Sequence, residues 1–158
     1  MASRELKTNV GGEDFYQVLK QDHRTVADLF EKIEETSEGA GKTRTQLFSK
    51  LRDELLAHAH AEQEIFYTTL LDRVDDRDPL LEAFEEHGVV EKLVADIEGC
   101  EPDDERWLAK VVVLKELVEH HVEEEENEIF KTARKELSKE EALELGRKMQ
   151  ASKTDARP

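Results

Sequence analysis

The sequence predicts an all-α protein, an up-down-up-down four-helix bundle with a short fifth C-terminal helix. Three observations carry that expectation. Apolar residues recur at three- and four-residue steps in four long segments, the period of an amphipathic helix. Nothing alternates with period two, so no strand is expected. The breaks between segments are short, and helices joined by short connections pack antiparallel to their chain neighbours.

The first helix is expected over about residues 13–35, with Tyr16, Leu19, His23, Val26, Phe30 and Ile33 on one stripe. It stops at the SEGAGKT break around Gly39 and Gly41. The second spans about 43–73 and aligns Leu47, Leu51, Leu55, His58, Glu62 and Ile65. A third starts at Asp78-Pro79, read as a cap followed by proline at the first helical position. Its stripe runs Leu80, Phe84, His87, Glu91 and Val94, and GCEPDD closes it. The fourth opens at Asp103-Asp104 and carries Trp107, Val111, Leu114, Val118, His121, Glu125 and Ile129. A fifth begins at Ser138, where Glu141 three residues on completes a capping box, and ends before ASKTDARP. The domain is therefore expected over 13–150, between a flexible N-terminal segment 1–12 and a flexible tail 151–158.

Composition bounds the function. The chain has 158 residues, 23 basic against 39 acidic, and a formal net charge of −16. That length supports one domain with its own core. Nucleic acid needs a basic footprint that this balance lacks, and an anionic membrane surface is disfavoured for the same reason. No segment approaches the ~18 apolar residues of a membrane span, and no signal peptide is visible in MASRELKTNVGGEDF. A single cysteine, Cys100, gives no internal disulfide. A cytoplasmic location is the expectation.

The chain repeats itself. Each half is one helix bearing a histidine followed by one bearing His-x-x-x-Glu: His23 then HAHAEQEIFY from His58, and His87 then HVEEEENEIF from His121. Residues four apart share a helix face, so His58 with Glu62 and His121 with Glu125 offer an imidazole and a carboxylate to one point. His87 with Glu91 forms a third such pair, and His23 adds a single imidazole. Seven polar groups turned inward are costly unless paired, and facing carboxylates repel unless protons or cations lie between them. A lone core histidine is ordinarily structural. Here, however, only six of 158 residues are histidine, and four of those lie on the inward stripes of four different helices. Mixed imidazole and carboxylate donors without thiolate suit iron, manganese or zinc in a two-metal centre.

Other residues carry weaker signals. His60 falls off the stripe and is expected to be exposed; His120 is either a support to the centre or a surface residue. Tyr67 reads as a packing or hydrogen-bonding residue near the bundle end. Cys100 lies among acids, which disfavours its thiolate. No Walker loop, GxGxxG or HExxH string occurs.

On KQDHRTVADLF, HAHAEQEIFY, EEHGVVEKLV and HVEEEENEIF, in that order on four helices, the chain resembles the hemerythrin-like, or HHE cation-binding, family over about residues 13–150. The resemblance implies a bundle holding two iron ions in an oxo- or hydroxo-bridged centre. By the motif match, His58 with Glu62 and His121 with Glu125 are terminal or bridging ligands, and His23 and His87 complete the imidazole set. Two departures stand out. Oxygen carriers of the family have a second histidine where this chain has Glu91, and their fourth-helix motif is His-x4-Asp, where this chain offers Glu125 or Glu126. A ligating Glu91 would favour ferric iron, weaken reversible oxygen carriage and move the centre toward carboxylate-rich oxidases and peroxidases. The resemblance implies a small diatomic or peroxide partner (oxygen, peroxide or nitric oxide) in stress response or sensing. The alternative is an iron-storage or iron-sensing module without turnover.

Overall fold

The computed structural model describes residues 12–156. The segment 1–12 lies almost wholly outside them, as do residues 157–158. Helix α1 is Phe15–Glu34; Asp14 caps it by accepting from the Gln17 backbone N–H, and the Gln17 side chain accepts from the Asp14 N–H in return. Helix α2 begins as Gly41–Ala61, passes through a π-helical turn at Glu62–Tyr67 and ends with Thr68–Leu71. Helix α3 is Asp78–Glu98 with Pro79 in its first turn, and its cap is Arg77 rather than the expected Asp78. Helix α4 runs Trp107–Glu124, a second π turn at Glu125–Ile129, then Phe130–Glu136. Its start is later than expected: the Asp104 carboxylate accepts from the Arg106 N–H, and the helix opens at Trp107.

Helix α5 is Lys139–Ala156, opened by the expected Ser138–Glu141 capping box. It does not stop at residue 150. The residues expected to begin a flexible tail continue the helix to Ala156, because Lys153 is buried and pairs with Asp22 on α1. At Gly146 the helix lies so close to the start of α1 that an added Cβ would stand 2.5 Å from the Glu13 carbonyl oxygen.

In the bundle α1 packs on α2, α2 on α3, α3 on α4 and α4 on α1, while α5 covers α1 and α2. This is an up-down-up-down bundle, all-α among the described residues. Its core is split. One apolar cluster gathers Phe15, Leu19, Phe66, Leu70, Leu80, Ile129 and Phe130. The other gathers Val26, Phe30, Phe48, Leu51, Val94, Trp107 and Leu114. Helices α1 and α3 run from the first cluster to the second, and α2 and α4 return. At the second end the buried Arg44 donates to Thr36 Oγ1 and the Pro102 carbonyl, both at 2.8 Å, and lies over the Trp107 ring. The layer between the two clusters is polar.

Candidate metal centre

One turn of each bundle helix supplies the polar layer. Helix α1 brings His23, α2 His58 and Glu62, α3 His87, and α4 His121 and Glu125. All but His23 among these six are buried, with Glu62 and Glu125 fully so, and the His23 side chain is itself only 8% exposed.

The donor atoms fall into two groups that share a carboxylate. His23, His58, Glu62 and Glu125 form one; Glu62, His87 and His121 form the other. In the first, His23 Nε2 lies 3.1 Å from Glu125 Oε1, and His58 Nε2 lies 3.1 Å from Glu62 Oε2. In the second, His87 Nε2 lies 3.0 Å from Glu62 Oε1 and 3.1 Å from His121 Nε2. The other Glu125 oxygen, Oε2, faces this second group, 3.8 Å from His121 Nε2. Glu62 thus belongs to both groups, and Glu125 reaches from the first toward the second.

The residues fit a metal on their own evidence. His23 Nε2, Glu62 Oε2 and Glu125 Oε1 are buried side-chain atoms with no hydrogen-bond partner, a state that is expensive in a protein interior. Donor atoms bonded to one ion at ~2.1 Å and at right angles stand about 3.0 Å apart, which is the spacing of the His23–Glu125, His58–Glu62, His87–Glu62 and His87–His121 pairs.

A second ring of residues aims the imidazoles. Each histidine donates its Nδ1–H outward: His23 to Glu126 at 2.6 Å, His58 to Asp22 at 2.8 Å, His87 to Gln63 at 2.7 Å and His121 to Glu86 at 2.7 Å. That leaves every Nε2 free to face the centre, as a metal-binding imidazole requires. The pattern follows the internal repeat. Asp22 and Glu86 directly precede His23 and His87, and Gln63 and Glu126 directly follow Glu62 and Glu125.

The π turns shape the floor of the centre. In a regular α-helix, residues five apart diverge by about 140°. The wider turn starting at Glu62 brings Tyr67 back to the same side, and its hydroxyl donates to Glu125 Oε2 at 2.5 Å with Glu62 Oε1 at 3.3 Å. The corresponding position after Glu125 is Phe130, so this hydroxyl has no counterpart in the other half. Burial and the two carboxylates push the Tyr67 phenol well above its ordinary value, so it stays a neutral donor.

Charges in the layer are mutually held. Burial opposes charge on His58, but Glu62 and Asp22 outweigh it and raise the imidazole well above its usual range. Burial also opposes His121, yet bonds to Glu62 and Glu86 raise it to about 10. Burial would raise Glu62, but the His58 cation and its hydrogen bonds hold it low. Burial and the facing Glu62 raise Glu125. Protons here occupy the role that cations would take, so metal entry is coupled to proton release.

Of the seven residues expected at the centre, Glu91 stands apart. It is exposed, outside both donor groups, on the wall of a cavity above the imidazoles. The direction of the helices explains this. Four residues on from His58 or His121 leads toward the Phe15–Phe66 cluster, but α3 runs the opposite way, so Glu91 is one turn toward the other end. Glu125 lies inside the donor groups and Glu126 outside them, supporting His23. His60 is exposed, and His120 lies on the surface beside Glu86 and Glu124. Cys100 lies far from the layer, its thiol raised by what burial it has and by Asp104.

Comparison with known proteins bears on the fold and the family. A crystal structure of a hemerythrin HHE cation binding domain-containing protein from Mycobacterium kansasii superposes with a TM-score of 0.81 at 25% identity, covering 92% of this chain and 88% of that one. A DNA nickase of Nostoc sp. (strain PCC 7120 / SAG 25.82 / UTEX 2576) is 26% identical over 137 residues, 87% of this chain but 38% of that protein's length. The hemerythrin HHE cation binding domain matches residues 14–133. The chain belongs to the hemerythrin HHE cation-binding family.

Proposed function

We propose that the chain is a non-heme di-iron protein whose centre binds or reacts with oxygen, peroxide or nitric oxide. His23 and His58 would hold one ion, His87 and His121 the other, with Glu62 and Glu125 contributing an oxygen to each. One observation carries the reading: three buried donor atoms without a hydrogen bond, His23 Nε2, Glu62 Oε2 and Glu125 Oε1, lie together in one donor group. The donor set of imidazoles and carboxylates without thiolate suits iron. Two adjacent iron ions would supply redox change and open positions for a small oxygen- or nitrogen-containing ligand. The chain's own residues do the rest. Asp22, Glu86, Gln63 and Glu126 fix the imidazoles, and Tyr67 holds the outer oxygen of Glu125 and keeps a proton beside it. Below the layer, the Phe15–Phe66–Phe130 cluster excludes water. Glu91 is left out of the ligand set. The alternative, an iron-sensing module, draws support from one contact: His58 is linked through Asp22 to Lys153 on α5, so occupancy would be felt by the C-terminal helix. Neither a nucleic-acid partner nor a membrane forms part of the reading; among the described residues no helix is long and apolar enough to cross a membrane.

The test is an anaerobic titration of the reduced, iron-loaded protein with oxygen, peroxide and nitric oxide in turn, followed by absorption. New bands that reverse or turn over are expected. A spectrum unchanged by all three, together with α5 loosening when iron is removed, would favour the sensing reading instead.

A further inference from the structure

The centre is closed on one side and open on the other. On the side away from Tyr67, a cavity of about 330 Å³ reaches from the four imidazoles to the surface. Neither Glu62, Glu125 nor Tyr67 lines it, so this is space adjoining the donor groups rather than the gap between them. Its walls are largely apolar: Val26, Leu55, Val90, Val118 and Val122 surround it, and Leu56, 38% exposed, lines it together with the exposed His60 and Glu91. The polar Gln63 on its lining is already engaged, accepting from His87.

That space is larger than the smallest oxidants would fill. The volume would take roughly ten waters, but ordered water needs two to four polar partners each, and the valine and leucine part of the wall offers none. Hydrogen peroxide or oxygen would fill only the floor. Pockets of about 300 Å³ and above, mostly apolar with a few convergent polar groups, are the sort that bury small organic molecules. We propose that the cavity seats the organic group of an alkyl or aralkyl hydroperoxide, placing its O–O bond against the imidazole floor. The proposal rests on the di-iron reading above. The reaction breaks the O–O bond with two electrons, which a diferrous centre held by these residues would supply as it became diferric. The two oxygen fragments each take a proton from solvent and leave as an alcohol and water. An external one-electron donor of the flavin or iron–sulfur class returns the electrons.

The experiment pairs a binding measurement with a selectivity measurement on the iron-loaded protein. Calorimetry with cumyl alcohol, the unreactive product of cumene hydroperoxide, is expected to give saturable one-to-one binding. Val118→Phe, which fills the cavity, is expected to weaken that binding at least tenfold. It should also lower the ratio of the oxidation rate with cumene hydroperoxide to that with hydrogen peroxide at least tenfold. Val118→Ala, which enlarges the cavity, should raise the ratio and serves if the larger side chain prevents folding. Absence of saturable alcohol binding, or a rate ratio that neither variant moves, overturns the proposal. If the chain takes up no iron, the di-iron reading fails, whereas alcohol binding still reports on the cavity by itself.

Discussion

Lys153→Met tests whether the C-terminal helix belongs to the metal layer. The lysine is 7% exposed and its ammonium pairs with Asp22, which is 5% exposed and also accepts from His58 Nδ1 at 2.8 Å. Methionine keeps most of the methylene stem, so the loss is chiefly one of charge. Removing one member of a buried pair costs about 3–5 kcal/mol, since the other charge is left buried and uncompensated. His58 still donates to Asp22, which places the expected loss near the lower end, about 3 kcal/mol. For a chain of this size that is a fall in Tm of roughly 6–12 °C. The assay is urea unfolding of the metal-free protein followed by helical circular dichroism, with Asp22→Asn and the double variant completing a cycle. The pair should show about 2 kcal/mol of coupling, the double variant being more stable than the sum of the singles implies. A loss below about 1 kcal/mol for Lys153→Met, or strict additivity with Asp22→Asn, would refute the reasoning. Asp22→Asn should also weaken metal binding by roughly 10–100-fold, because the imidazole it orients is a proposed ligand.

Other outcomes follow from single contacts. Tyr67→Phe leaves Glu125 Oε2 without its donor and should cost roughly 1–3 kcal/mol in the metal-free protein. The loss should be smaller once metal is bound, and equal losses in the two states would count against a shared role for that oxygen. Gly146→Ala forces a Cβ onto the Glu13 and Asp14 backbone and should destabilise by roughly 1–3 kcal/mol; a neutral result by thermal unfolding would show that α5 yields easily. Glu141 is held at about 2 by Arg73 and the Ser138 N–H, below its unfolded value of ~4.3. Its contribution is therefore present above about pH 4.3 and lost as pH falls toward 2. Glu141→Gln should be less stable than the parent at pH 7 and match it at pH 2; a deficit independent of pH would exclude the charge as its origin.

Much of this was legible in the sequence because the four stripes obey one period and four scarce histidines fall on them. The bundle, the helix order and the gathering of His23, His58, Glu62, His87, His121 and Glu125 all follow from spacing. Glu91 shows where spacing alone misleads. The i, i+4 rule identifies a shared face but carries no direction, and α3 runs opposite to α2 and α4. The internal repeat held the missing cue, since the residue matching Glu91 in the first half is Ala27. Asp22, Glu86 and Gln63 were hidden among ordinary polar residues, and Glu126 was legible only as an alternative ligand, although each adjoins a proposed ligand in the same repeat. The π turns were not legible at all: a residue inserted in the hydrogen-bond ladder leaves no mark in a pattern read at 3.6 residues per turn. Nor was the buried end of α5, because KTDA reads as solvent-facing until Lys153 meets Asp22.

The most direct measurement is the iron content of protein purified without chelators, taken beside the His58→Ala/His121→Ala double variant. The account predicts two irons per chain, an absorption band from an oxo bridge, and loss of both irons in the variant. A content well below two in the parent, or the same content in both proteins, would contradict it.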